Sequence, residues 1–198
     1  MQSVFMENIF IKEIVINGSL RRTIGMLAFL ILVSFGAYIY IPLLFTPVPV
    51  TLQTFFVILA GAMLRKKDSI LSQCLYVAFG MFGWPVFSQI TGGWMKLAGP
   101  TGGYIVGFIF GAAIIAWLIE VFTANNKLNF NTIAFSMLCG ILVIYLFGAT
   151  WLGFVLRLSV AHAVKLGVAP FILPDFLKIV LAAIIYKSMN EKQRIIFK

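Results

Sequence analysis

The sequence predicts an all-α membrane protein of six transmembrane helices with both termini in the cytoplasm. Three observations carry that prediction. Of 198 residues, 62% are hydrophobic and 11% charged, with a mean hydropathy of +1.05, far more apolar than a soluble domain of this length needs. No Lys, Arg, Asp or Glu falls within 23–64, 69–95, 97–119 or 128–156. Each run exceeds the roughly 20 residues that cross a bilayer as a helix, and backbone in lipid must satisfy its own hydrogen bonds, which selects helices. The fifteen Lys and Arg also divide unevenly. Eleven (Lys12, Arg21, Arg22, Arg65, Lys66, Lys67, Lys127, Lys187, Lys192, Arg194, Lys198) fall on one predicted side and four (Lys96, Arg157, Lys165, Lys178) on the other, and the positive-inside rule assigns the first side to the cytoplasm.

Three regions result: an N-terminal interfacial segment (1–22), a six-helix membrane domain (23–190) and a basic cytoplasmic tail (191–198). Met1–Leu20 sets Phe5, Ile9, Phe10 and Ile14 against Glu7, Lys12 and Glu13, the pattern of a segment lying on the membrane. Thr23–Ile41 follows a basic pair but is longer than the apolar core of a signal peptide, so it reads as the first helix. Pro42, Pro47 and Pro49 end it. A second helix is expected at about Thr51–Leu64 and, after the charged turn Arg65–Asp68, a third at Ser69–Gly83. The stretch Trp84–Tyr104, rich in glycine and proline, cannot be one continuous helix. A fourth helix is expected at Thr101–Val121, a fifth from Thr132 to beyond Arg157, and a sixth from Asp175 to Lys187. All seven prolines then lie in the outer connections.

The net charge of +9 would suggest nucleic acid for a soluble protein; here it orients the chain in the bilayer, and no nucleic-acid partner is expected. Cys74 and Cys139 sit in apolar runs without metal-site or disulfide spacing. His162 has no second ligand at metal spacing. No G-x-x-x-x-G-K-[ST] motif occurs, and the topology sets Asp175 and Glu120 at opposite faces of the membrane and Asp68 in a cytoplasmic turn. That removes a paired-carboxylate enzyme, and no catalytic residue, metal or cofactor is expected. What remains is a small outward-facing binding protein.

Its site is expected where three outer stretches converge: 42–53, 84–104 and 157–178. Asp175 and Lys178 share one face of a helix. They read either as an ion pair at headgroup level or as ligand groups, Asp175 accepting from N–H donors and Lys178 balancing charge or meeting an anion. Trp84, Trp94, Tyr104 and Trp151 can wall an apolar ligand or belong to the interfacial aromatic belt. Arg157 and Lys96 can attract a carboxylate or contact lipid phosphate. Thr51 and Gln53 can join the site or bond to neighbouring backbone.

The chain carries PVPVTLQT (47–54), LAGAMLR (59–65), GWPVF (83–87), GPTGGYIVGF (99–108) and PFILPDFLK (170–178) in that order. In these motifs it resembles the BioY family, the biotin-binding S components of energy-coupling-factor (ECF) transporters. The resemblance implies high-affinity biotin capture at a bacterial cytoplasmic membrane, with a transmembrane ECF subunit and two ATPase subunits as partners. It implies a site in which Asp175 accepts from the ureido N–H groups and Trp84 and Tyr104 pack on the bicyclic ring. Lys178 or Lys96 would meet the carboxylate, with Thr51, Gln53, Gly102, Gly103 and Arg157 nearby. Pro174 stands where the family commonly has glycine, and Gly25, Ala28, Ser34, Gly36 and Ala37 give no clean small-xxx-small pair for docking a partner. An S component for another small vitamin and a structural membrane subunit without a ligand are the alternatives.

Overall fold

The structure, a computed structural model, describes residues 18–189; the tail 191–198 and all but the last residues of the interfacial segment lie outside that range. The elements are α1 (Gly18–Tyr38), β1 (Tyr40–Ile41), β2 (Val50–Thr51), α2 (Gln53–Met63), α3 (Lys66–Met81), α4 (Trp94–Ala98), α5 (Gly102–Ala124), α6 (Phe130–Leu156), α7 (Val160–Gly167) and α8 (Ile172–Ser188), with a 3-10 turn at Ala169–Phe171 before α8. Among the described residues, four stretches are long and apolar enough to cross a membrane: α1, α5, α6 and the region Val160–Ser188. With 11 and 16 residues, α2 and α3 are shorter than a crossing.

Each short helix is continued at one end by non-helical chain. Before α2 comes the β1–β2 hairpin, pairing Tyr40 with Thr51 and Ile41 with Val50 and anchored where the Leu52 N–H bonds the carbonyls of Gly36 and Ile39. After α3, Gly83 adopts a φ of 98° and the chain folds back, its Phe87 ring filling the space beside the Cα of Gly80. Irregular backbone at membrane depth survives only where protein covers it or a cavity adjoins it. The hairpin and the 82–101 segment adjoin the pocket described below.

The centre of the fold is the α5–α6 pair. Gly103, Gly107 and Gly111 recur every four residues. A Cβ at Gly111 would lie 2.9 Å from the Gly140 carbonyl oxygen and 2.7 Å from Ile144 Cγ1. Such small-xxx-small faces let two backbones approach closely in a medium that supplies no hydrophobic drive between helices. Gly111→Val is expected to cost about 1–3 kcal/mol by overpacking, seen as an earlier unfolding midpoint of the detergent-solubilised chain. An unchanged midpoint would show that the two helices can separate freely.

Two local features depart from the sequence reading. Helix α6 stops at Leu156 instead of running past Arg157. Arg157 takes left-handed backbone (φ 53°), and the Leu158 N–H bonds the Gly153 carbonyl at 2.9 Å, a helix-ending arrangement usually built on glycine. Asp68 leaves the charged turn to face inward, 2% exposed, and accepts a two-pronged pair from Arg22 of α1 at 2.8 and 2.9 Å. Nearby, Glu120 accepts from the Lys66 N–H at 3.0 Å, so Glu120 and Asp175 lie beyond opposite ends of α2.

Candidate functional site

At the other end of α2, Asp175 and Lys178 sit on the first turns of α8, three residues apart and on one face. Pro174 is tolerated there because the first helical positions need no N–H partner. Lys178 Nζ lies 2.7 Å from Asp175 Oδ1, with the two side chains only 11% and 4% exposed. The pair is therefore a buried one, and buried charges persist only when their hydrogen bonds are complete.

They are nearly so. Asp175 Oδ1 accepts from Thr54 Oγ1 at 2.8 Å and from Lys178, while Oδ2 accepts from the Tyr145 hydroxyl at 2.7 Å. Lys178 donates to Asp175, to the Thr51 carbonyl at 2.7 Å and to Thr54 Oγ1 at 2.8 Å. An ammonium has three N–H donors, so all three are spent within the chain. Asp175 Oδ2, with a single donor, keeps capacity for a ligand N–H. The pair thus behaves as an acceptor braced by a cation, with α2, α6 and α8 each contributing a brace.

A second chain of hydrogen bonds supports the floor. Thr51 Oγ1 donates to Gln53 Oε1 at 3.2 Å, Gln53 Nε2 donates to the Tyr76 hydroxyl, and that hydroxyl donates to the Val86 carbonyl at 3.3 Å. The hairpin, α2, α3 and the 82–93 segment are thereby held together. Tyr104 is 8% exposed and donates to the Gly167 carbonyl at 2.6 Å, tying α5 to α7. Asp175, Lys178, Thr51, Gln53, Thr54, Tyr104 and Tyr145 line a pocket of about 50 Å³ with Val48, Pro49, Ser88, Thr101, Ile105, Phe108, Ile144 and Phe171. The Thr101 hydroxyl is buried there without a partner, a polar group available to a ligand.

Of the residues expected from the sequence, the pocket brings together Asp175, Lys178, Thr51, Gln53 and Tyr104. The other five lie elsewhere. Trp84 is 59% exposed, its ring edge-on to Phe79. Lys96, on α4, reaches Gln89 Oε1 at 3.5 Å. Arg157 is exposed at the end of α6. Gly103 packs against Phe147 and Trp151, and Gly102 against the Leu97 carbonyl. Thr54, Tyr145, Ser88 and Thr101 were not singled out. Tyr145 is the one tyrosine in the charge-free run 128–156, a signal open to a sequence reading; Thr54 ends the PVPVTLQT motif.

A family model described as the BioY family matches residues 8–194. The biotin transporter BioY of Thermotoga maritima is 40% identical over 172 residues, 87% of this chain and 97% of that protein. The probable biotin transporter BioY of Pyrococcus horikoshii is 43% identical over 162 residues, 82% of this chain and 91% of its own. Among solved structures, the S-component for biotin from an ECF-type ABC transporter superposes with a TM-score of 0.81 at 23% identity, covering 88% of this chain and 93% of that one.

Proposed function

The chain belongs to the BioY family, and from that membership we propose that it captures biotin for uptake across a bacterial cytoplasmic membrane as the substrate-binding subunit of an ECF-type transporter. The carrying observation is the buried Asp175–Lys178 pair, with Thr54 and Tyr145 fixing the carboxylate. A ureido group offers two N–H donors, and a charged, braced acceptor recognises them better than water does. Tyr104, Phe108 and Phe171 supply apolar walls of the kind a fused ring needs. The reading involves transport and no catalytic step.

The membrane arrangement follows the charge distribution. Both termini face the cytoplasm, the domain 23–190 crosses six times, and α2 and α3 complete their crossings through the hairpin and the 82–101 segment. One transmembrane ECF subunit and two ATPases are the proposed partners. The 50 Å³ pocket is far smaller than the roughly 300 Å³ or more of a small-molecule site, so binding widens it. Val48, Pro49 and Ser88, outside the helices, are the walls with freedom to move. In that wider state Trp84, Gly102, Gly103, Lys96 and Arg157 remain the proposed outer contacts.

Because Lys178 has no donor left, the valerate carboxylate is assigned to Lys96 or Arg157. Isothermal calorimetry on the detergent-purified chain tests this. Biotin is expected to bind, its methyl ester about tenfold or more weaker for want of a charged hydrogen bond, and thiamine and riboflavin not at all. Equal affinity for acid and ester would remove the carboxylate contact; preference for another vitamin would overturn the biotin assignment itself.

A further inference from the structure

The buried face of α3 carries a line of polar side chains, Asp68, Ser69, Ser72, Gln73 and Tyr76, none more than 2% exposed. Three of them are paired. Asp68 holds Arg22 of α1, the Ser72 hydroxyl donates to the Met26 carbonyl of the same helix at 2.9 Å, and Tyr76 joins Gln53 to the Val86 carbonyl. The other two are not. Neither the Ser69 hydroxyl nor either end of the Gln73 amide has a hydrogen-bond partner within the chain, although both residues are 0% exposed.

Neither lipid nor bulk solvent reaches these atoms, and native proteins leave few such groups unpaired. Among the described residues, the other buried side-chain atoms without a partner are the Thr101 hydroxyl, which lines the pocket, and Arg21 Nε, on a half-buried residue. Ser69 and Gln73 line no part of that pocket. They are four residues apart on one helix, which brings their Cβ atoms to about 5–6 Å. Two hydrogen bonds of about 2.8 Å meeting at one oxygen span that distance. The unpaired set also has both signs: the amide nitrogen only donates, the amide oxygen only accepts, and the hydroxyl does either. A cation would leave the amide N–H groups facing it, and an anion would leave the carbonyl; a molecule that both donates and accepts at one atom suits all three.

We propose that Ser69 and Gln73 form a binding site for an internal water molecule, between the Arg22–Asp68 pair and the Tyr76 hydroxyl. The amide N–H that lies alongside the C=O lets one water accept from the first and donate to the second, while a third bond goes to the Ser69 hydroxyl. Three is the number of bonds a buried water typically makes. With it, every polar side chain on this face from Asp68 to Tyr76 is bonded. The competing reading is a dry amide packed against its neighbours with its desolvation cost unrelieved. The site does not depend on the biotin reading.

Water-selective NOE spectra of the full chain in detergent, with 15N-labelled glutamine and without biotin, test the site directly. The Gln73 side-chain signal is identified by its loss in Gln73→Met, and a cross-peak from water to its Nε2 protons is expected. Stability gives a second reading. Gln73→Met keeps the volume but leaves the water and Ser69 short of partners, so it should lower the unfolding midpoint by about 2–4 °C. Ser69→Ala should lower it by a similar amount, and the double variant by about as much as either alone, because one water serves both. A dry amide predicts the reverse: Gln73→Met raises the midpoint by removing an unpaired polar group, and the two substitutions act independently. No water cross-peak at Gln73 in the folded chain, a raised midpoint in Gln73→Met, or additive losses in the double variant would each overturn the proposal.

Discussion

Replacing Lys178 by methionine is expected to destabilise the chain by about 3–5 kcal/mol, the cost of leaving a buried carboxylate without its counter-ion. Asp175 has nowhere else to turn: it is 3% exposed, and its remaining partners, Thr54 and Tyr145, are neutral. The double variant Asp175→Asn/Lys178→Met removes both charges and leaves one amide oxygen to accept from the Tyr145 hydroxyl and an NH2 that can donate to the Thr54 hydroxyl, so it should recover most of the loss. Denaturant unfolding in detergent reads both. If the double variant is no more stable than Lys178→Met alone, the two residues are not coupled and the ion pair is not what holds α8 to α2. If the proposed ureido contact holds, biotin binding should stay as weak in the double variant as in Asp175→Asn alone even though stability returns, because the charged acceptor is gone in both.

Biotin affinity in Asp175→Asn is the second large effect, expected to fall about tenfold. Hydrogen bonds to an ionised acceptor contribute about 1.5–3 kcal/mol against about 0.5–1.5 for neutral pairs. The one ureido N–H that Oδ2 can still accept thus loses about 1–1.5 kcal/mol, or roughly one power of ten in Kd. Calorimetry at a temperature where the variant stays folded separates this from the stability effect. Binding as tight as in the unaltered chain would remove Asp175 from the ureido contact and leave the pair a purely structural clamp.

The parts of this fold legible in the sequence were those whose signal is local. Charge-free runs marked the long helices, glycine and proline marked the two irregular outer segments, and Asp175 and Lys178 announced themselves as charges three apart at the start of an apolar helix. Distant pairings were less legible. Arg22 and Asp68 lie 46 positions apart, and nothing in the turn Arg65–Asp68 says that its acid points inward. Tyr145 is hidden for the opposite reason, since a tyrosine in an oily helix reads as core or belt until α8 brings a carboxylate to its hydroxyl. The end of α6 was misplaced because Arg157 occupies a backbone conformation usually left to glycine, so residue type gave no stop. Trp84, Lys96 and Arg157 share the pocket's predicted side of the membrane, but topology says nothing of the depth or direction of a side chain, and all three lie outside the pocket's lining.

The neutrality of the Asp175–Lys178 pair has an electrical meaning. A membrane potential of about 100 mV does about 2.3 kcal/mol of work on each elementary charge carried across it. A site built from one carboxylate and one ammonium 2.7 Å apart carries no net charge, so the field does no work on it when that part of the chain changes depth. An anionic ligand would then bring the only uncompensated charge in the pocket. With a negative interior, the inward passage of such a ligand is opposed by the field by that amount.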